Sequence, residues 1–201
     1  MYAQVLIAIS FAIAAYQDVK ERAVLDLLWI PAVVGAAYSF YWDYPNLEYP
    51  VLKLAIVGGV ALAFVFLGGV GQADAIGLAL LAADPYPLSP VIPLIGAAVV
   101  AGAHIGYEFI IGNARGVKSI PLEKFLKEQR WIPRAIVADG VRTEVSNDVN
   151  DAREEVEAKA KPGASVEVRY GVPTVAYLGV GYIGYLALLL VFSPLTFFTL
   201  A

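Results

Sequence analysis

Long apolar runs separated by short polar breaks constrain this chain more than any other feature. A helix of about 17 to 25 apolar residues crosses the roughly 30 Å hydrocarbon core of a bilayer. Apolar residues make up 59% of the 201 and charged residues only 16%, a composition typical of proteins that cross a membrane several times. The predicted fold class is an all-α polytopic membrane protein with six transmembrane helices, over residues 2–17, 23–41, 51–70, 75–83, 91–111 and 172–192.

Two of the six predicted spans are irregular. Pro31 interrupts the span 23–41 and is expected to kink it, because proline removes a helix hydrogen bond. The span 75–83 has nine residues before Asp84 and Pro85, and a helix of that length rises only about 14 Å at roughly 1.5 Å per residue. The chain is nevertheless expected to cross the membrane at both places.

Residues 112–170 differ in composition from the rest of the chain. They hold 11 of the 14 lysine and arginine residues, and 21 of their 59 positions are charged. This composition predicts a small soluble α/β insert outside the lipid. The insert separates residues 1–111, with five predicted transmembrane helices, from residues 171–201, with the sixth helix and a tail.

Local patterns predict the elements of the insert. Amphipathic and charged runs indicate helices, and β-branched alternation indicates strands. Helices are predicted over residues 119–130 and 147–161, strands over 131–138 and 165–170, and a turn at Asp139-Gly140.

Basic residues near the span ends predict the orientation. Lys20, Arg22 and the 11 basic residues of the insert total 13 on one side, whereas Lys53 is alone on the other. The richer side is expected to be cytoplasmic, so Asp18, Asp74 and the insert are predicted to face the cytoplasm. The first apolar run has no basic segment before it and no small-residue cleavage site after it. It is therefore expected to be retained as a helix in the plasma membrane.

The chain has no cysteine and a single histidine, His104. Disulfides, thiolate nucleophiles and cysteine-ligated zinc are therefore excluded. His104 and Glu108 are spaced i, i+4 on one helical face, which allows a mutual hydrogen bond. No metal site is predicted, because no further ligand accompanies this pair, and no nucleic-acid partner is predicted.

Asp18 and Asp74 are the candidate catalytic residues. Asp18 ends the first predicted span and Asp74 begins the fourth, so an even number of crossings brings both carboxylates to one depth. Two carboxylates a few Å apart share one proton, because both cannot ionise cheaply. The ionised one takes a proton from water while the protonated one donates to a carbonyl oxygen. The pair therefore predicts peptide hydrolysis, with the choice of base left open; a solvated pair of helix-terminal carboxylates is the simpler alternative.

The loop Gly-Gly-Val-Gly-Gln-Ala-Asp, residues 68–74, contains the second aspartate. Glycine lacks a Cβ, so a substrate backbone can lie against the loop. Free N–H groups at the start of a helix also favour the charged form of Asp74. Gly69, Gly71 and Ala73 are therefore candidates for shaping the loop or binding the substrate.

Both aspartates lie in motifs that resemble those of a known family. Asp18-Val-Lys-Glu-Arg22 resembles the D-x-K-x-R motif of the type IV prepilin peptidases, and Gly71-Gln-Ala-Asp74 is similar to their G-x-G-D motif. The archaeal preflagellin and prepilin peptidases, with Gly-Ala-Asp and six spans, are the most similar group. Ala73 replaces the second glycine of the bacterial motif. Leu25-Asp26 replaces the usual Pro-Asn, which leaves the role of Asp26 open.

The resemblance implies a GxGD-type membrane aspartic protease. Such an enzyme cleaves class III signal peptides of prepilins and preflagellins at the cytoplasmic face of the membrane, with Asp18 and Asp74 as its catalytic pair. It implies no cofactor, and the partners are the precursor proteins and the lipid bilayer. Lys20 and Arg22 are candidates for substrate contact, although attraction to anionic lipid explains them more simply.

The main alternative is a proton-coupled transporter or proton relay, because paired intramembrane carboxylates also carry protons. A transporter is expected to show inverted repeats or discontinuous helices, and neither is clear in this sequence. A membrane scaffold with the insert as its docking surface is the second alternative. For the insert itself, the hypothesis is that its basic residues recruit precursors or lipid headgroups.

Overall fold

The computed structural model describes residues 2–42, 48–67, 71–84, 88–146 and 149–197. The helices among them are α1 (Tyr2–Glu21), α2 (Ile30–Trp42), α3 (Glu48–Phe66), α4 (Gln72–Ala83), α5 (Val91–Ile110), α6 (Leu122–Lys127), α7 (Val149–Lys159) and α8 (Thr174–Phe197). The strands are β1 (Lys118–Pro121), β2 (Trp131–Ala138), β3 (Val141–Glu144) and β4 (Ser165–Tyr170).

Four helices of the described chain are long and apolar enough to cross a membrane. They are α1, α3, α5 and the Thr174–Phe192 part of α8. The prediction of six spans is not confirmed, because α2 has 13 residues and α4 has 12. The helix α4 ends at Asp84, whose backbone is extended with ψ of 134°, the conformation that a following proline favours.

The predicted span 23–41 does not form one continuous helix. A single 3-10 turn over Asp26–Trp29 precedes α2, and Leu25 before that turn is extended. Pro31 is the second residue of α2, where a missing N–H leaves no helix bond unmade. Pro31 therefore lies in the first turn of α2, where proline favours the start of a helix, and not inside one continuous helix as predicted.

The chain divides into two compact units. The first, called here the membrane unit, consists of Met1–Tyr16, Val24–Gly102 and Thr174–Ala201. The second, called here the insert unit, consists of Gln17–Ala23 and Ala103–Pro173. The last turn of α1 therefore belongs to the same compact unit as residues 103–173.

Aromatic packing and close backbone approach hold the membrane unit together. The ring of Phe11 in α1 lies 5.4 Å from that of Trp29 and 5.4 Å from that of Tyr182 in α8. Gly181 of α8 lies against the Pro93 carbonyl oxygen and Ala97 of α5, with no room for a Cβ. Small residues allow this close contact between helices in lipid.

A four-stranded antiparallel sheet forms the centre of the insert unit. Its strand order is β1-β4-β2-β3. The two predicted strands are confirmed over their full lengths, and the predicted turn is confirmed with positive φ at Asp139 and Gly140. The core on one face of the sheet consists of Ile120, Phe125, Trp131, Ile136, Val156, Ala164, Val166, Val168 and Tyr170.

The predicted helices of the insert are shorter in the structure. The helix predicted over 119–130 is confirmed only for α6, because Lys118–Pro121 pairs with β4 as a strand. The helix predicted over 147–161 corresponds to α7, and Asn147 lies outside the described residues.

Candidate active site

Asp18 lies in the last turn of α1 and its side chain is buried, with 6% of the residue exposed. The helix ends there because Arg22 adopts a left-handed φ of 57°, which costs a non-glycine residue about 1 to 2 kcal/mol. The Arg22 N–H donates to the Asp18 carbonyl oxygen at 3.0 Å. Its guanidinium donates to the same oxygen at 3.1 Å and to the Val19 carbonyl at 3.2 Å. Arg22 thus satisfies carbonyl groups that the end of a helix leaves unpaired.

Lys20 has a different position from the other basic residue of its motif. Its side chain is 62% exposed and lies 4.0 Å from the Glu21 carboxylate. An exposed pair at this distance contributes little to stability, about 0 to 1 kcal/mol. A role for Lys20 in contacting substrate or anionic lipid stays a prediction.

Asp74 is the third residue of α4 and is half-buried. Its Oδ2 accepts a hydrogen bond of 3.1 Å from the N–H of Gly71, the residue that precedes the helix. This is the carboxylate half of a capping box, and the helix N-terminus favours a negative charge at this position. A residue close by in the sequence therefore contributes to the placement of Asp74.

Gly71 has φ of −77° and ψ of 162°, a conformation open to any residue. A Cβ at this position would lie 3.4 Å from Asp74 Oδ2, an ordinary contact. Backbone strain therefore does not explain the glycine, and its use in substrate approach stays a prediction. Ala73 is half-buried, and Gly69 lies outside the described residues.

The two candidate carboxylates belong to different units. Asp18 lies in the insert unit, where its carbonyl contacts Arg22, and Asp74 lies in the membrane unit, where it contacts Gly71. Their pairing as a proton-sharing dyad stays a prediction.

A buried polar cluster in the membrane unit was not found from the sequence. Asp84 is fully buried, and its Oδ2 accepts a 2.7 Å hydrogen bond from the Tyr182 hydroxyl. Its carbonyl oxygen accepts a 2.5 Å hydrogen bond from Lys53 Nζ. A lone lysine inside the apolar run 51–70 was the available signal, since intramembrane charges require a partner. Its partner comes from another helix, which local patterns do not reveal.

His104 and Glu108 form the contact that their spacing predicted, with 3.5 Å between His104 Nε2 and Glu108 Oε1. The Tyr170 hydroxyl lies 3.3 Å from the same His104 nitrogen. Burial raises the pKa of Tyr170, the Glu108 charge raises it further, and the positive charges of Arg22 and Arg130 oppose the shift. The Tyr170 hydroxyl is therefore neutral at physiological pH and available as a hydrogen-bond donor.

No group of three or more His, Cys, Asp or Glu that could hold a metal ion is present in the part of the chain that the structure describes.

Comparison with known proteins identifies the family. The model of the type IV leader peptidase family matches residues 5–107, more than half of the chain, and this range includes Asp18 and Asp74. Searches of curated proteins and of solved structures gave no significant match. The family is one of proteases, and together with the four long apolar helices it indicates a membrane protein. The chain belongs to the type IV leader peptidase family.

Proposed function

We propose that this protein is a membrane aspartic endopeptidase that cleaves class III signal peptides from prepilins and preflagellins. The single observation that carries the proposal is the family match over residues 5–107, which contains both aspartate motifs. Asp18 and Asp74 form the catalytic pair. The excess of basic residues near Asp18 and in the insert favours a site at the cytoplasmic face.

The proposed reaction needs only water and the two carboxylates. One carboxylate, in its ionised form, takes a proton from water as the oxygen attacks the peptide carbonyl carbon. The other, in its protonated form, donates its proton to the carbonyl oxygen. Collapse of the tetrahedral intermediate breaks the C–N bond and transfers a proton to the leaving amine. No covalent enzyme intermediate forms, so the reaction requires no nucleophilic side chain.

Asparagine substitutions test the proposal. Asp18→Asn and Asp74→Asn keep the size of each side chain but remove its charge and its proton transfer. We expect each variant to lose cleavage of a prepilin-type precursor in membranes, with a rate reduced by at least about 100-fold. Asp26→Asn is the matched control, since Asp26 is exposed at the start of the 3-10 turn.

Precursor processing is followed by the mobility shift that loss of the signal peptide causes. Cleavage that persists in either Asp18→Asn or Asp74→Asn contradicts the assignment of the pair. A protein that cleaves no precursor but shows pH-driven flux that either substitution abolishes is a transporter, and the protease proposal is then wrong.

A further inference from the structure

A chain of polar contacts in the insert unit plays no part in the proposed proton transfers. It runs from Arg22 at the end of α1, through Tyr170 at the end of β4, to His104 and Glu108 of α5. All four residues lie in one compact unit, together with Asp18. Asp18 is therefore joined to the soluble part of the protein by side-chain contacts as well as by the chain.

The first link joins α1 to the sheet. The Arg22 guanidinium lies 5.9 Å from the centre of the Tyr170 ring, a cation-π distance. The same guanidinium donates to the carbonyl oxygens of Asp18 and Val19 at 3.1 and 3.2 Å. One side chain thus contacts both the helix turn that carries Asp18 and the last residue of β4.

The second link fixes the Tyr170 ring inside the insert. Tyr170 is 9% exposed and is part of the core on one face of the sheet. It pairs with Trp131 of β2, and the two rings meet edge to face with 6.3 Å between their centres. The ring that contacts Arg22 therefore cannot move without disturbing this core.

The third link joins Tyr170 to α5. Its hydroxyl lies 3.3 Å from His104 Nε2, which in turn lies 3.5 Å from Glu108 Oε1. The other oxygen of Glu108 accepts a 2.8 Å hydrogen bond from Asn113 Nδ2, and its carbonyl accepts one of 3.1 Å from the Ala114 N–H. Glu108 is 7% exposed, so both of its carboxylate oxygens are held by partners within the unit.

We propose that Tyr170, His104 and Glu108 are positioning residues for peptide cleavage, which act through Arg22 to fix the carboxyl end of α1 and therefore the place of Asp18. The proposal rests on the proposed function. A misplacement of about 1 Å reduces catalysis by roughly 100-fold, so a catalytic carboxylate at a helix end requires support on that side. The insert supplies it, and this role is separate from any recruitment of precursors by its basic surface.

Spin-label distances test the support of α1 without reference to activity. Because the chain has no cysteine, Val19→Cys and Val141→Cys place two labels in the full-length protein. Both positions are exposed, Val19 at the end of α1 and Val141 in β3. We expect a narrow distance distribution that broadens when Arg22→Gln or Tyr170→Phe is added.

The control for these labels is Tyr107→Phe. Tyr107 lies in the same helix as His104 but is 59% exposed, so the loss of its hydroxyl is expected to leave the distribution narrow. A distribution that stays narrow in both Arg22→Gln and Tyr170→Phe overturns the proposal. Arg22→Gln leaves the insert core intact, so this comparison holds even if Tyr170→Phe weakens folding.

Kinetics supply the second readout. Tyr170→Phe keeps the ring but removes the hydroxyl, and we expect kcat to fall about 10- to 100-fold with KM unchanged, because Tyr170 is not proposed to touch the substrate. An unchanged kcat, or a rise in KM alone, overturns the positioning role. If the parent protein cleaves no precursor, the proposed function fails. The label distances then still decide whether the insert holds the end of α1.

Discussion

Asp18 lies at the carboxyl end of a helix and Asp74 at the amino end of another. The residues that contact them lie at different distances along the sequence. Asp74 is in the first turn of α4 and bonds to Gly71, three residues before it. Asp18 is in the last turn of α1, which Arg22 joins to Tyr170, far away in the sequence. A contact with Gly71 thus orients the Asp74 carboxylate, whereas the helix turn that carries Asp18 is held by other residues of the insert unit.

The chemistry of the two kinds of helix end accounts for this difference. Local contacts suffice at the start of a helix, where N–H groups and the helix dipole favour a carboxylate. The carboxyl end of a helix presents carbonyl groups, which offer a carboxylate no hydrogen bond. We therefore expect damage to the insert to affect Asp18 before it affects Asp74.

Loss of the insert core is the change with the largest expected effect. Phe125 is fully buried in that core, and Phe125→Ala is expected to cost about 3 to 5 kcal/mol of folding free energy. Amide hydrogen exchange should then accelerate over residues 17–22 and remain slow over 72–77. Leu126→Ala is the control, because Leu126 is 43% exposed.

The same exchange measurement can contradict this difference between the two aspartates. If Phe125→Ala accelerates exchange equally at the end of α1 and at the start of α4, the two carboxylates do not depend on different parts of the chain. The same conclusion follows if exchange accelerates at neither place, provided that denaturant titration shows that Phe125→Ala lowers the free energy of unfolding.

Substitution of Gly71 is expected to have an intermediate effect. Gly71→Ala keeps the N–H that bonds to Asp74, and its φ of −77° accepts alanine, so stability should not change. If a substrate backbone lies against this glycine, KM rises. Gly71→Pro removes the N–H as well and should also cost about 1 kcal/mol.

Thermal unfolding and cleavage kinetics of the two Gly71 variants separate these effects. An alanine variant with the parent KM shows that the missing Cβ is not used for substrate approach. A proline variant as stable as the alanine variant shows that the capping contact of Asp74 contributes nothing to the fold.

Local patterns predicted the parts of the fold whose causes are local. The strands β2 and β4 were predicted from end to end. Buried and less buried residues alternate along β4 and along the first five residues of β2, whose register shifts at a β-bulge between Pro133 and Ala135. The strand β1 was missed because its four residues are defined by pairing with β4, which lies far along the chain. The start of α2 was misplaced because an apolar run does not reveal where a helix begins inside it.

The candidate site divides in the same way. The motifs around Asp18 and Asp74 identified the family, which the match over residues 5–107 confirmed. The spacing of His104 and Glu108 predicted their contact, since both lie on one helix. The bond between Tyr182 and Asp84, like the contact of Arg22 with Tyr170, joins elements that no local pattern brings together.

Acid should weaken the insert slightly, and this is the smallest of the expected effects. Burial raises the pKa of Glu128, but hydrogen bonds from Trp131 and Arg130 outweigh it and hold the pKa below its ordinary value of 4.5. A lowered pKa means that the contribution of Glu128 to stability is present above pH 4.5 and is lost as the pH falls through the folded-state value.

The measurement is the fluorescence of tryptophan during denaturant titration between pH 3 and 6, a range of about one and a half units on either side of that ordinary value. Glu128→Gln should reduce the dependence of the unfolding midpoint on pH. Glu123→Gln in α6 is the control, since Glu123 takes part in none of the salt bridges of the insert among the residues that the structure describes. An unchanged pH dependence in Glu128→Gln means that this carboxylate does not support the insert.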